Sequence, residues 1–282
     1  MRKVTLVLLA LGLVVATAAF ASNPVRISQI YGNGNTYYKC DYVELFNSSC
    51  APVDIGGWSM QYGSSTGLTF GLGGSTWVNA ALIPSGTMIP ACGYYLMRFN
   101  CGTVGADLPV TPDLVLSPYT INLSGSNGKV VLFSDQILGR TCAEAKASPS
   151  YVDLVGYGTA TTCFEGAGPT SPVGTGVWVR ANGGRVDTDV NSADFTNQAQ
   201  PYAMHNSTGG YLNPDCALAC NFGACCLRGT AGACIVTTAA GCAAQLPLPG
   251  IFVGVGTSCQ PTPPCSVPTT KTTWGQVKTI YR

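Results

Sequence analysis

Beyond residue 24 the chain is cut into short segments in which apolar and polar residues alternate, and this bounds the fold more tightly than any other feature. Val25–Tyr31, Tyr42–Asn47, Trp58–Tyr62, Tyr94–Phe99, Lys129–Phe133, Tyr151–Tyr157 and Val177–Arg180 are rich in β-branched and aromatic residues. Gly, Pro, Asn or Asp bounds each of them, as expected of strands separated by turns. This region carries no sustained i, i+3, i+4 apolar stripe. The expected architecture is therefore all-β. Seven or more strands in about 185 residues predict a β-sandwich with long loops. Alternation places Val25, Ile27 and Gln29 on one side of the first strand. In the second, Val43 and Leu45 lie opposite Tyr42, Glu44 and Phe46.

The chain also holds fourteen cysteines, at positions 40, 50, 92, 101, 142, 163, 216, 220, 225, 226, 234, 242, 259 and 265. Their gaps are irregular rather than the repeated C-x2-C of zinc ribbons, and the one histidine, His205, lies outside the clusters. This favours disulfides over zinc. All fourteen, Cys40, Cys50, Cys92, Cys101, Cys142, Cys163, Cys216, Cys220, Cys225, Cys226, Cys234, Cys242, Cys259 and Cys265, are expected to be paired. Neighbour pairing would join Cys40 to Cys50, Cys92 to Cys101 and Cys142 to Cys163, although six cysteines allow 15 connectivities.

An oxidising destination agrees with the N-terminus. Arg2 and Lys3 precede an uncharged apolar run from Val4 to Phe20, and Ala19-Phe20-Ala21 supplies a small-x-small site. Residues 1–21 read as a secretory signal peptide cleaved after Ala21, leaving no membrane span. Removing Arg2 and Lys3 from the 14 Lys+Arg leaves 12 against 13 Asp+Glu. So neutral a chain has no electrostatic reason to seek phosphate backbones or anionic lipid, which argues against nucleic acid and membrane surfaces as partners.

Composition shifts near residue 209. Residues 22–208 form the expected sandwich and 209–215 a linker. Residues 216–265, with eight cysteines, read as a module too small to bury a core and dependent on covalent staples. The six cysteines before the linker and eight after it are even sets, so each module could close its own bridges. Residues 266–282 are a Pro/Thr-rich linker and tail ending in Trp274–Arg282.

The ordered segments Val25-Arg-Ile-Ser-Gln-Ile30, Tyr42-Val-Glu-Leu-Phe-Asn47 and Val53-Asp-Ile-Gly-Gly-Trp58 resemble the lamin tail domain. So do Leu82–Leu96, Leu123–Phe133 and Gly183–Phe195. The resemblance spans most of residues 23–208 and implies an immunoglobulin-like sandwich. It is closest in kind to the bacterial secreted form found in cell-surface proteins, because the chain lacks the heptads of a filament rod. Gly223-Ala-Cys-Cys-Leu227 with Cys234, Cys242, Cys259 and Cys265 resembles a short Cys-rich repeat of exported bacterial proteins. The tail resembles a recurrent C-terminal ending of bacterial secretomes.

Sequence motifs for chemistry are sparse. A P-loop, a dinucleotide fingerprint and HExxH are absent from the sequence, and no nucleophile elbow opening a helix is read from it, so no catalytic or cofactor-binding residue is assigned. His205 reads as an ordinary surface histidine, and Glu44 as solvent-facing or bonded to backbone amides of an adjacent loop. Asp187, Asp189, Asn191 and Asp194 place oxygens at alternating positions, as the start of a calcium loop does. Ser192 replaces the turn glycine of an EF-hand, and an Asx-rich turn explains the string equally well. Calcium is thus the one candidate cofactor. The expected function is a non-enzymatic secreted or cell-surface interaction module. It would bind an extracellular protein or glycan through the sandwich surface, with Trp77, Tyr62 and Tyr94 on one sheet face. The alternatives are a structural cell-envelope component and a secreted hydrolase with an unrecognised carboxylate site.

Overall fold

The computed structural model describes residues 23–32, 36–73, 78–116, 121–170, 176–228, 233–257, 259 and 265. The expected signal peptide (1–21), Trp77 and the tail (266–282) lie outside them. The strands run β1 (Val25–Tyr31), β2 (Cys40–Asn47), β3 (Val53–Asp54), β4 (Ser59–Ser64), β5 (Gly71–Leu72), β6 (Val78–Leu82), β7 (Met88–Ile89), β8 (Tyr94–Cys101), β9 (Leu114–Val115), β10 (Gly128–Phe133), β11 (Tyr151–Tyr157), β12 (Val177–Arg180) and β13 (Phe195–Gln198). After these come β14 (Gly223–Cys226), β15 (Cys234–Thr237) and β16 (Ile251–Val255). A six-stranded sheet, β13-β12-β1-β2-β8-β9, faces a five-stranded sheet, β11-β10-β4-β6-β5. β15-β14-β16 forms a separate three-stranded sheet, and β3 pairs with β7. Among the described residues no helix is long and apolar enough to cross a membrane.

The alternation read from the sequence fills the space between the two large sheets. Ile27, Val43, Leu45, Tyr95, Met97 and Trp178 meet Met60, Tyr62, Val130, Leu132, Val155 and Tyr157. One register differs from expectation. β1 bulges at Ser28, so pairing passes from Ile27↔Leu45 to Gln29↔Glu44. Beyond the bulge the faces exchange. Ile30 joins Val25 and Ile27 in the core, and Gln29 is turned outward, where its amide donates to Ala203 O at 2.7 Å.

The outer faces are buried too. On the five-stranded sheet Phe70, Val131, Phe133 and Leu154 pack with Ala145 of the helix Cys142–Ala147. Thr141 and Glu144 close a capping box at that helix's start, which satisfies its free amides. On the six-stranded sheet Tyr31, Tyr42, Leu96, Val177 and Val179 are covered by Met204 and Tyr202. These two belong to the connector that leaves β13. This covering explains why every residue of β2 is buried, where a solvent-facing sheet would expose alternate ones.

All fourteen cysteines are paired, with a connectivity that distance along the chain does not give. Cys142–Cys163 is a neighbour pair, but Cys40 joins Cys101, Cys50 joins Cys220 and Cys92 joins Cys216. Cys40 and Cys101 sit opposite each other on β2 and β8, so strand pairing chooses that bridge. The other two run between the expected modules. Two bridges across a boundary leave both cysteine counts even, which is why parity could not reveal them. Cys225–Cys242, Cys226–Cys265 and Cys234–Cys259 close the remainder.

Candidate binding site

The segment expected to be a linker is docked. Asn213 is buried; its Oδ1 accepts from Cys216 N, capping the helix Pro214–Ala219. Its amide nitrogen donates to Asn182 O at 2.9 Å and to Tyr94 Oη at 3.2 Å. Upstream, residues 201–211 lie along the outer face of the six-stranded sheet. Ser207 N and Oγ donate to the Asp113 carboxylate, which also accepts from Leu96 N at 2.7 Å. His205 N donates to Glu44 Oε2 at 2.7 Å.

These contacts place an acid, a histidine and three tyrosines together. Glu44, on β2, is 1% exposed, and its Oε1 accepts from Ser28 Oγ at 2.7 Å. The bulge in β1 is what turns Ser28 toward it. Of the two sequence readings of Glu44, the bond to a loop amide is the one present. His205 is not an ordinary surface residue, because its side chain is only 15% exposed. Its ring stacks on Tyr211 at 3.9 Å and 14°, with Tyr94 tilted against it at 4.6 Å. His205 Nδ1 stands 3.3 Å from Glu44 Oε2 but is buried without a hydrogen bond. Gly183, with φ +62°, forms part of the wall; a Cβ there would meet Asn213 Nδ2 at 2.6 Å and Tyr94 Oη at 2.9 Å.

The result is a cavity of about 290 Å³ bordered by Glu44, Tyr94, Tyr202, His205, Tyr211 and Asp215. Beside it, Pro109, Val110, Met204, His205 and Tyr211 border a more apolar hollow of about 530 Å³. A third, of about 410 Å³, lies where Pro52, Pro90 and Tyr211 face Phe222, Ile235 and Cys259 across the module boundary. Tyr211 lines all three. Burial, and after it the Glu44 charge, raises the pKa of Tyr202 and Tyr211. The same two causes raise that of Tyr94. All three rings therefore present neutral phenols.

The expected sheet face of Trp77, Tyr62 and Tyr94 is not a face. Tyr62 points into the core from β4, and Tyr94 lies under His205 on the other sheet.

Of the candidate calcium residues, Asp187 and Asp194 face Arg180. Fully buried, Arg180 donates to both Asp153 oxygens at 2.8 and 2.7 Å, to Asp187 Oδ1 at 2.8 Å and to Ile27 O. Asp194 Oδ2 stands 3.4 Å from it, and both Asp194 oxygens also take Thr188 donors. Asn191 Oδ1 accepts from the amides of Gly156 and Glu165, and Asp189 is exposed. Asp187 and Asp194 thus share the Arg180 guanidinium, while Asn191 turns to backbone amides and Asp189 to the surface. Asp187 also groups with Asp153 and Glu165. Tyr151 donates to Glu165; burial, then the Asp153 charge, pushes the Glu165 carboxyl up to about 8. As Asp153 is on β11 and Arg180 on β12, the cluster ties the two sheets together.

Sequence reading missed Tyr202, Tyr211 and Asp215, and left Glu44 between two roles. The signal available was the string Pro201-Tyr-Ala-Met-His205, apolar and aromatic residues in a stretch that otherwise reads as loop.

Two face-to-face, largely antiparallel sheets with a disulfide-stapled extension make this an immunoglobulin-like β-sandwich with a Cys-rich appendage. Within that class, the lamin tail domain family model matches residues 18–137, which supports a lamin-tail-like assignment for that part. That family is an immunoglobulin-like, non-enzymatic one. The match stops before β11, so the Arg180 cluster and the connector lie beyond it. No curated protein matches the chain.

Proposed function

We propose that this is an exported, non-enzymatic interaction module of a bacterial cell surface or its surroundings. It holds an extracellular protein or glycan against the connector face of the sandwich. The observation that carries the reading is the convergence of three hollows on Tyr211, a half-buried ring held between the sandwich and the Cys-rich sheet. Binding surfaces are concave and aromatic with a few fixed polar groups, and their tyrosines act as rigid anchors. The buried carboxylates nearby are engaged by Arg180, backbone amides or hydroxyls, which suits support better than acid–base chemistry.

The test is a screen of the labelled, oxidised chain against arrayed glycans and extracellular proteins, run in parallel with Tyr211→Ala. At least one ligand should be lost with the substitution, with a drop of about tenfold or more, the scale of one anchor residue. A profile unchanged by Tyr211→Ala ends the reading. The bridges between sandwich and appendage also suit a structural envelope component held by the tail. Cell fractionation of the intact chain and one truncated after Cys265 separates these roles: retention in the envelope that needs the tail and ignores Tyr211 favours the structural one.

A further inference from the structure

The cavity over Glu44 has a charge that no arginine or lysine of its own wall balances. Asp153 and Asp194, equally buried, are met by Arg180 at 2.7 and 3.4 Å. Glu44 has only Ser28, the amide of His205 and the poorly aligned Nδ1 of the same residue. Asp215 adds a second carboxylate at the rim, where Arg185 stands 3.8 Å from it. No lysine or arginine lines the cavity. Buried carboxylates are normally paired, because an unpaired charge away from water is costly.

The wall's hydrogen-bonding groups are largely committed already. Ser28 Oγ bonds to Glu44, Gln29 to Ala203 O, Tyr94 Oη to Gly183 O, and Asn213 to Tyr94 and Asn182. A sugar is read by free, directional donors and acceptors, and few remain here. What remains is negative charge beside aromatic carbon. That combination recognises organic cations, whose attraction to ring faces and to a carboxylate needs no directional donor.

We infer that this cavity takes an alkylammonium group, either the side chain of lysine or its N-methylated form on a partner, or a free quaternary amine. The inference rests on the reading of the connector face as a binding surface and names the chemistry of one pocket in it. Tyr202, Tyr211 and His205 supply the rings, and Glu44 and Asp215 the charge. The apolar hollow beside Met204 and Val110 extends from the rings of His205 and Tyr211, so it would receive the chain that carries the ammonium.

The test titrates the intact, oxidised chain with Nα-acetyl-lysine methylamide, its Nε-trimethyl form, tetramethylammonium and the uncharged Nα-acetyl-norleucine methylamide, followed by NMR shifts. Cations should saturate at millimolar concentration, and norleucine at least about tenfold more weakly. Tyr211→Ala should weaken the cations by about the same factor. Glu44→Gln should do likewise, and Asp215→Asn, exposed and outside the core, should give a smaller loss that keeps the charge test readable where Glu44→Gln fails to fold. Lysine amides binding without tetramethylammonium identifies a peptide-borne group, and the reverse a free amine. No saturation below about 10 mM, norleucine binding as tightly as lysine, or indifference to Tyr211→Ala overturns the inference. Arrayed partners that depend on Tyr211 while amines fail would overturn this inference alone. Amines that bind while arrays ignore Tyr211 would overturn the broader reading alone.

Discussion

The sandwich and the Cys-rich module are stabilised by opposite means. Between its sheets the sandwich buries more than twenty apolar residues, with further clusters on both outer faces. Only Cys40–Cys101 and Cys142–Cys163 lie wholly within it. In the sheet β15-β14-β16, by contrast, Ala224 and Cys225 are the fully buried apolar residues, while Ile251, Val253 and Val255 remain exposed. Three bridges spanning 17, 39 and 25 residues close this module. On the chain-entropy model each such closure contributes about 3–4 kcal/mol, more than so small a core could. A chain can therefore hold a large fold by burial and a small one by covalent closure, and Cys50–Cys220 and Cys92–Cys216 let the second rest on the first.

The largest expected effect comes from removing the bridges. Under a strong thiol reductant, hydrogen exchange should reach unfolded rates across residues 223–255 while β2, β8, β10 and β11 stay protected. Simultaneous loss of protection in both regions would show that the sandwich, too, depends on its disulfides. Next is Arg180→Met, which leaves Asp153 and Asp194 buried without their cation. Removing one member of a buried ion cluster costs about 3–5 kcal/mol, so urea unfolding of the sandwich should shift by that amount with protection of 223–255 unchanged. A shift under about 1 kcal/mol would mean that the cluster behaves like a surface pair.

The smallest effect is a pH dependence confined to the sandwich. Burial and the Asp153 charge raise Glu165 from 4.5 to about 8. The unfolded chain then ionises this group first, so its destabilising effect is absent below about pH 4.5, accumulates as pH rises and is complete above about pH 8. Glu165→Gln removes a titrating group while leaving a side chain of the same shape beside Tyr151 and Asn191. The variant should gain on the wild type by about 3.5 kcal/mol between pH 5 and pH 8, read as thermal unfolding at each pH. Parallel curves for the two proteins would locate the proton elsewhere in the cluster.

Much of the fold was legible along the chain. All seven strand segments named from alternation coincide with strands, because period-2 burial between two sheets leaves its mark on neighbouring residues. The Gln29 exception is instructive: a one-residue bulge at Ser28 exchanged the faces, and nothing local marks where an extra residue is absorbed. The site was far less legible. Glu44, Tyr94, His205 and Tyr211 come from two strands and a connector and meet only when the connector crosses the sheet. Asp187, Asp189, Asn191 and Asp194 looked like one site because they are close in sequence, yet Arg180 and the amides of Gly156 and Glu165 claim three of them.

What the sequence by itself determined was therefore the class of structure: strands from alternation, disulfides from an even set of cysteines, and a lamin-tail-like order of segments. These follow from local spacing and composition, which every residue carries with it. The tertiary structure alone decided which cysteines pair across the module boundary, which face of β2 the connector covers, and that Glu44 and His205 lie together under Tyr211. Each of these depends on contacts between residues tens to hundreds of positions apart. Their geometry is set by how the sheets pack, and no local pattern encodes it.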